Sequence, residues 1–291
     1  MVAPILIRPC APNQLPALVE LLDQEFIFSK GRNLSVARRF PTALGSENCP
    51  NILLACRGEQ IAGAIVIRRF DWVTAARTWR GAMLGLVYTR PEERGQGVAS
   101  DLLRTAESTL RADGTAFAVL WTAQPEFYRR LGWTGSDCGV FGTCTSADGV
   151  AAACVPAEAA TIEALRLRSG SAHLLRSPTS YRTLPLPAEH LELLASPDRE
   201  SYAIVGVQAD RAYVYEIGGT PAGYAALWRD ISAAPRTVFV NERHGSTAQQ
   251  WLASRPDISW RDQRLAMWLP LADPDCARHF SDWYVPFLDR I

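Results

Sequence analysis

Hydrophobic periodicity changes several times between Gly81 and Trp133, and each change marks an element. Met83 to Val87 is an apolar run that reads as a strand. From Val98 the apolar positions Ala99, Leu102, Leu103, Ala106 and Leu110 follow helical spacing, while Ser100, Asp101, Arg104 and Glu107 fall mainly on the other face. Asp113-Gly114 is a helix stop. Ala116 to Trp121 is a second apolar run, and a short aromatic helix follows it up to Trp133.

The pattern upstream predicts a strand within Pro4 to Pro9 and a helix over Asn13 to Phe28, with Leu15, Leu18, Val19, Leu22 and Phe26 on one face and Asn13 as its cap. Ser29 to Pro50 reads as a mobile or substrate-facing connection holding a short helix around Ser35 to Phe40. Asn51 to Cys56 and Gln60 to Phe70 form a hairpin around Arg57-Gly58-Glu59. After the small residues Thr143 to Ala153, a helix is predicted from Ala157 to Arg168 and strands over Tyr202 to Gln208, Arg211 to Ile217 and Gly223 to Arg229. Thr237 to Gly245 then runs into a helix at Ser246 to Ala253. The order faintly repeats that of the first half.

The turn between the first apolar run and its helix is Arg94-Gly95-Gln96-Gly97-Val98-Ala99. Its two glycines permit positive φ and close approach of a ligand oxygen to the backbone. The first amides of the helix have no intrahelical acceptor and sit at its positive end, which suits a pyrophosphate. Arg94 adds a charge that pairs with phosphate. Two glycines alone fit an ordinary tight connection better than a phosphate site, so the whole segment has to decide.

Taken whole, the segment resembles the GCN5-related N-acetyltransferase (GNAT) superfamily. Arg94, Gly97 and Ala99 fill the defined positions of its Arg/Gln-x-x-Gly-x-Gly/Ala motif, and Phe127-Tyr128-Arg129-Arg130-Leu131-Gly132-Trp133 matches its Phe-Tyr-x-x-Leu-Gly-Phe/Trp signature. The resemblance implies an α/β (α+β) fold: a mixed central sheet flanked by helices in residues 1–150, and a second, degenerate GNAT-like or other α+β domain in 155–291. The tandem is similar to the enhanced-intracellular-survival-type acetyltransferases without their sterol-carrier-like domain. Arg243-His244-Gly245-Ser246-Thr247-Ala248 resembles the cofactor turn but carries serine at its centre.

By the same resemblance, acetyl-coenzyme A is the co-substrate, with its pyrophosphate on Arg94, Gly95, Gln96, Gly97, Val98 and Ala99 and its pantetheine arm beside Leu86, Val87 and Tyr88. The acetyl group passes directly to an amine in a ternary complex. An ordinary alkylamine has a pKa near ~10.4, so at neutral pH a base has to remove its proton. Tyr128 is the general acid for the departing thiolate. Glu25 is the candidate base, with Asp71, Glu126 and the Ile291 carboxylate as alternatives. A non-catalytic acyl-coenzyme A sensor that keeps the turn but not turnover is the competing reading.

Lys plus Arg and Asp plus Glu each total 30, a balance that gives no support to nucleic acid or an anionic membrane as partner. The acceptor is therefore read as a small-molecule or peptide amine, with the oligomeric state open. Seven cysteines without a CxxC pair and four scattered histidines predict no disulfide scaffold and no metal site. The N-terminus has too short an apolar stretch for a secretory signal, which points to the cytoplasm.

Overall fold

A computed structural model of the chain describes residues 4–145, 154–168, 172–233 and 236–291. The chain opens with β1 (Ile5–Pro9), α1 (Leu15–Phe26), α2 (Val36–Arg39), β2 (Ile52–Arg57), β3 (Gln60–Val73) and β4 (Thr78–Thr89). The glycine turn leads into α3 (Val98–Ala112), followed by β5 (Phe117–Trp121), α4 (Pro125–Arg129), β6 (Thr134–Gly135) and β7 (Gly139–Cys144). The second half carries β8 (Val155–Pro156), α5 (Ala159–Leu167), β9 (His173–Leu174), β10 (His190–Ala195), β11 (Tyr202–Gln208), β12 (Arg211–Gly218) and α6 (Pro221–Ser232). It ends with β13 (Thr237–Arg243), α7 (Thr247–Ala253), β14 (Ile258–Asp262), β15 (Ala266–Pro270) and two short 3₁₀ turns.

Two mixed sheets result. The first runs β1-β2-β3-β4-β5-β15-β6, with β9 pairing β3, and the second runs β14-β7-β13-β12-β11-β10-β8. Neither respects a boundary near residue 150. The early strand β7 is inserted between β13 and β14, and the late strand β15 runs antiparallel to β5, pairing Ala266 with Trp121 through to Pro270 with Phe117. The small-residue stretch read as a boundary lies partly outside the described residues, since 146–153 are not among them.

Both faces of the first sheet are covered, which is why β3 is buried continuously from Ile61 to Arg68. The apolar stripe of α3, formed by Leu102, Leu103, Ala106 and Leu110, packs on Leu53, Ile65, Leu84 and Leu120. On the opposite face Leu18 and Leu22 of α1 meet Leu54, Val66 and Tyr88. Farther along that sheet, Trp72, Trp79, Trp268 and Trp283 cluster with Phe117 and Phe280, so the closing residues of the chain cap it.

Three expectations change. Asn13 does not cap α1: residues 12–14 form a 3₁₀ turn, and α1 starts after Gln14 with Pro16 in its first turn. Residues 29–50 are largely packed rather than open, with Ala43, Leu44 and Cys49 in the core and Ser35 capping α2 by accepting from Ala37 N–H. Gly223 to Arg229 is helix, not strand. Thr220 accepts from Gly223 N–H as N-cap and Pro221 takes the first turn, while Tyr224, Leu227, Trp228 and Ile231 make the buried face.

Candidate active site

Strand β4 has one residue more than β3 across their pairing. Val66 pairs Gly85 and Ala64 pairs Tyr88, leaving Leu86 and Val87 opposite Ile65, and Leu86 takes φ +48°. This is a β-bulge, which bends the strand that carries it. On its other side β4 pairs β5 only from Gly81 to Met83. Beyond Met83 the two parallel strands part, and β4 presents backbone from Leu84 onward to the resulting fork.

The fork leads to the glycine turn. Gly95 and Gly97 have φ +77° and +86°, and a Cβ built on either would meet nothing within 4 Å, so the turn is open as well as left-handed. The ladder of α3 begins with Asp101 N–H donating to Gly97 C=O at 3.0 Å. No side chain caps the helix, so the amides of residues 97–100 form an uncapped positive terminus. The approach to the turn is anchored by Arg57, whose Nε and Nη2 each donate to Glu93 at 2.8 Å; those bonds hold the Glu93 carboxyl below its ordinary value.

The second turn is built differently. Ser246 accepts from Gln249 N–H at 3.0 Å, and Gln249 Oε1 accepts from Gly245 N–H at 3.0 Å. Ser246 and Gln249 thus satisfy between them donors of a kind that the glycine turn leaves free.

A cleft of about 550 Å³ joins the glycine turn to the segment after β5, with Gly97, Ala99 and Ser100 on one side and Phe127, Arg130 and Leu131 on the other. Arg104 also lines it, although its place in the sequence reading was only the polar face of the helix. Arg130 and Arg104 are the cations that sequence reasoning missed here. Both stand in segments already singled out, but nothing in the spacing says which arginine turns inward.

Tyr128 packs edge-on to Phe127 and Trp133, with ring centroids 4.9 and 6.3 Å away. The cleft wall is made by its neighbours Phe127 and Leu131. Its hydroxyl bonds no described residue, and burial pushes the phenol up, keeping it protonated. Leu86 packs on the α1 side and Val87 on the α3 side, while Tyr88 is buried beneath α1.

Glu25 reaches the site from the end of α1. Its carboxylate pairs with Arg94 Nη2 at 3.0 Å, while Arg94 Nε donates to Thr89 C=O, also at 3.0 Å. The other carboxylates are not gathered here. Asp71 stands opposite Arg80 in the strand register at the far end of the β3–β4 ribbon, and Glu126 is exposed and forms an ion pair with Arg129. Ile291 does arrive: a Cβ on Gly85 would stand 2.6 Å from its carbonyl oxygen and 2.7 Å from its carbonyl carbon.

Residues 7–135 match the family model of the acetyltransferase (GNAT) domain. Comparison with curated proteins gives no match. Among solved structures, the chain is similar to a GCN5-related N-acetyltransferase from Kribbella flavida, with a TM-score of 0.72 and 19% identity over 93% of this chain and 72% of that one. It is similar also to a conserved protein from Enterococcus faecalis described as a probable N-acyltransferase, with a TM-score of 0.72 and 16% identity over 93% and 73% of the two chains. Eis1 from Mycobacterium abscessus gives a TM-score of 0.66 and 14% identity over 95% and 76%. These likenesses extend over both sheets. No helix among the described residues is long and apolar enough to cross a membrane.

Proposed function

We propose, from the match of residues 7–135 to the GNAT acetyltransferase domain, that the chain moves an acetyl group from acetyl-coenzyme A to a primary amine by direct attack. The observation that carries this reading is the uncapped α3 terminus behind Gly97, opening into a cleft that continues to Phe127 and Leu131 beside an unpaired length of β4. A pyrophosphate would accept from the amides of residues 97–100, and an extended arm would add to the free edge of Leu86 to Tyr88 as a strand adds to a sheet. The α+β unit of 1–150 is then the binding domain, with β15 lent to it by a degenerate second unit in 155–291.

Within that reading Tyr128 delivers a proton to the departing thiolate, whose free pKa resembles that of cysteine at ~8.5. Glu25 receives the proton of the amine, directly or through water. Because Glu25 and the pyrophosphate compete for the Arg94 guanidinium, co-substrate binding would release the carboxylate as it engages the arginine. The acceptor is a small-molecule or peptide amine, and seven free cysteines suit the reducing cytoplasm as the compartment.

The deciding experiment measures coenzyme A release across a panel of amines with wild type and Tyr128→Phe. Amine-dependent release that collapses in the variant is expected. Binding of acetyl-coenzyme A without release for any amine would favour a sensor instead.

A further inference from the structure

The outer edge of β3 is left open between two partners. Strand β2 leaves it at Val66, where Ile52 is the last paired residue, and β9 joins at Trp72 opposite Leu174. At the margins Asn48 Nδ2 donates to Ile67 C=O and Leu175 N–H to Asp71 C=O. Strand alternation puts the Arg69 main-chain N–H on this same edge, between those two carbonyls. A second cleft, about 340 Å³, occupies the gap.

Its lining includes Arg68 and Arg176, the hydroxyls of Thr42, Ser177 and Ser180, and no carboxylate. Arg69 also lines it, but its guanidinium is taken up by Asp113, Asn51 and Thr115. Arg68 and Arg176 are both buried, and the donors of Arg68 are not used up. Among the described residues Arg68 makes one hydrogen bond, from Nη1 to Asp289 C=O, with the Asp289 carboxylate 3.8 Å from Nη2. Arg176 gives Nε and Nη2 to Asp289 and Nη2 to Glu216, and its side chain has no exposed surface, so it backs the cleft without facing it. The remaining Arg68 donors, on a guanidinium that keeps a little exposed surface, stand beside the cleft, and an ionic acceptor is what such donors bind most strongly. Phe70 and Leu175 supply an apolar wall, and Leu175 is 51% exposed at the mouth despite its size.

We infer that this cleft is a binding site for a small organic oxyanion, a carboxylate or phosphate on a short apolar body, held by Arg68 and the Thr42 and Ser177 hydroxyls, with Arg176 behind the wall as a buried positive charge. The site is separate from the glycine turn and does not rest on the acetyl-transfer reading. It lies on the sheet face opposite α3, since Arg68 shares a β3 face with Val66, which packs with Leu86 and Ile291. Arg68 also holds Asp289, so an anion here shares a ligand with the segment that brings Ile291 to Gly85.

Calorimetric titration of the full chain with butyrate and with inorganic phosphate tests it. Saturable binding of at least one ion is expected, retained in Gly97→Asp, which spoils the glycine turn. Leu175→Glu should weaken it roughly tenfold or more, because a carboxylate placed at the mouth repels an anion in a partly desolvated site. Leu175 is a surface side chain, and an unchanged melting temperature would confirm the fold; Thr42→Val, which removes one donor, should give a smaller loss. Absence of saturable binding by both ions, loss of all binding in Gly97→Asp, or full affinity in a folded Leu175→Glu would overturn the assignment.

Discussion

Arg94 and Glu25 are joined at 3.0 Å across the mouth of the glycine turn, so the guanidinium that opens the turn is held by a carboxylate from the other side of the sheet. Both side chains are more than a third exposed, and such a pair adds little to stability. Its weight is in binding. In Glu25→Gln, affinity for acetyl-coenzyme A is expected to rise, since Arg94 is freed and a negative charge removed, while kcat falls at least ~10²-fold, as for a lost general base. Turnover at the wild-type rate would take Glu25 out of the proton path.

Gly97→Asp should weaken acetyl-coenzyme A binding at least roughly tenfold, since an aspartate at φ +86° strains the turn and sets a like charge beside phosphate. Calorimetry is the measurement. Equal affinity would move the pyrophosphate elsewhere.

Tyr128→Phe keeps the ring that packs on Phe127 and Trp133 and removes only the hydroxyl, which has no partner among the described residues. The fold and co-substrate affinity should persist, with kcat lowered about 10²–10³-fold. Steady-state kinetics on an accepted amine, with chemistry shown to be rate-limiting, decides it.

At Gly85 even a methyl group is too large, because it would stand 2.6 Å from the Ile291 carbonyl oxygen. Gly85→Ala should displace the 289–291 segment and cost about 1–3 kcal/mol in urea unfolding. Wild-type stability and activity together would show that the approach of Ile291 has no consequence.

Burial alone raises the Asp289 carboxyl, but the neighbouring Arg176, with Arg68 and Arg166 behind it, outweighs this and holds it below the ordinary aspartate value. A depressed folded pKa means that stability is present above the unfolded value, near ~3.9, and is lost as pH falls through the folded one. Asp289→Asn should therefore flatten the acid limb of the stability profile below about pH 4 and cost ~3–5 kcal/mol at neutral pH, by stranding buried arginines. Denaturant melts across pH measure both.

The glycine turn, α3 and the aromatic signature were legible because each depends on local chemistry: glycines at positive φ, a helical apolar stripe, a stop at Asp113-Gly114. Gly223 to Arg229 reads as a strand from its composition, although Thr220-Pro221 before it is a helix cap followed by a first-turn proline. The bulge at Leu86, the partner of β15 and the arrival of Ile291 at Gly85 are pairings between residues far apart in the chain. A single sequence carries no local mark of them.

The trading of β7 and β15 between the sheets also governs how the chain comes apart. A fragment cut near residue 150 would strip β15 from β5, leaving Phe117-Ala118-Val119-Leu120-Trp121 as a bare apolar edge, the kind of strand that recruits other chains. The complementary fragment would lack β7, and β13 and β14 would lose the strand that joins them. Neither piece is a self-sufficient folding unit, so the intact chain should melt in one cooperative step, and the first sheet cannot be completed until residue 270 has been synthesised.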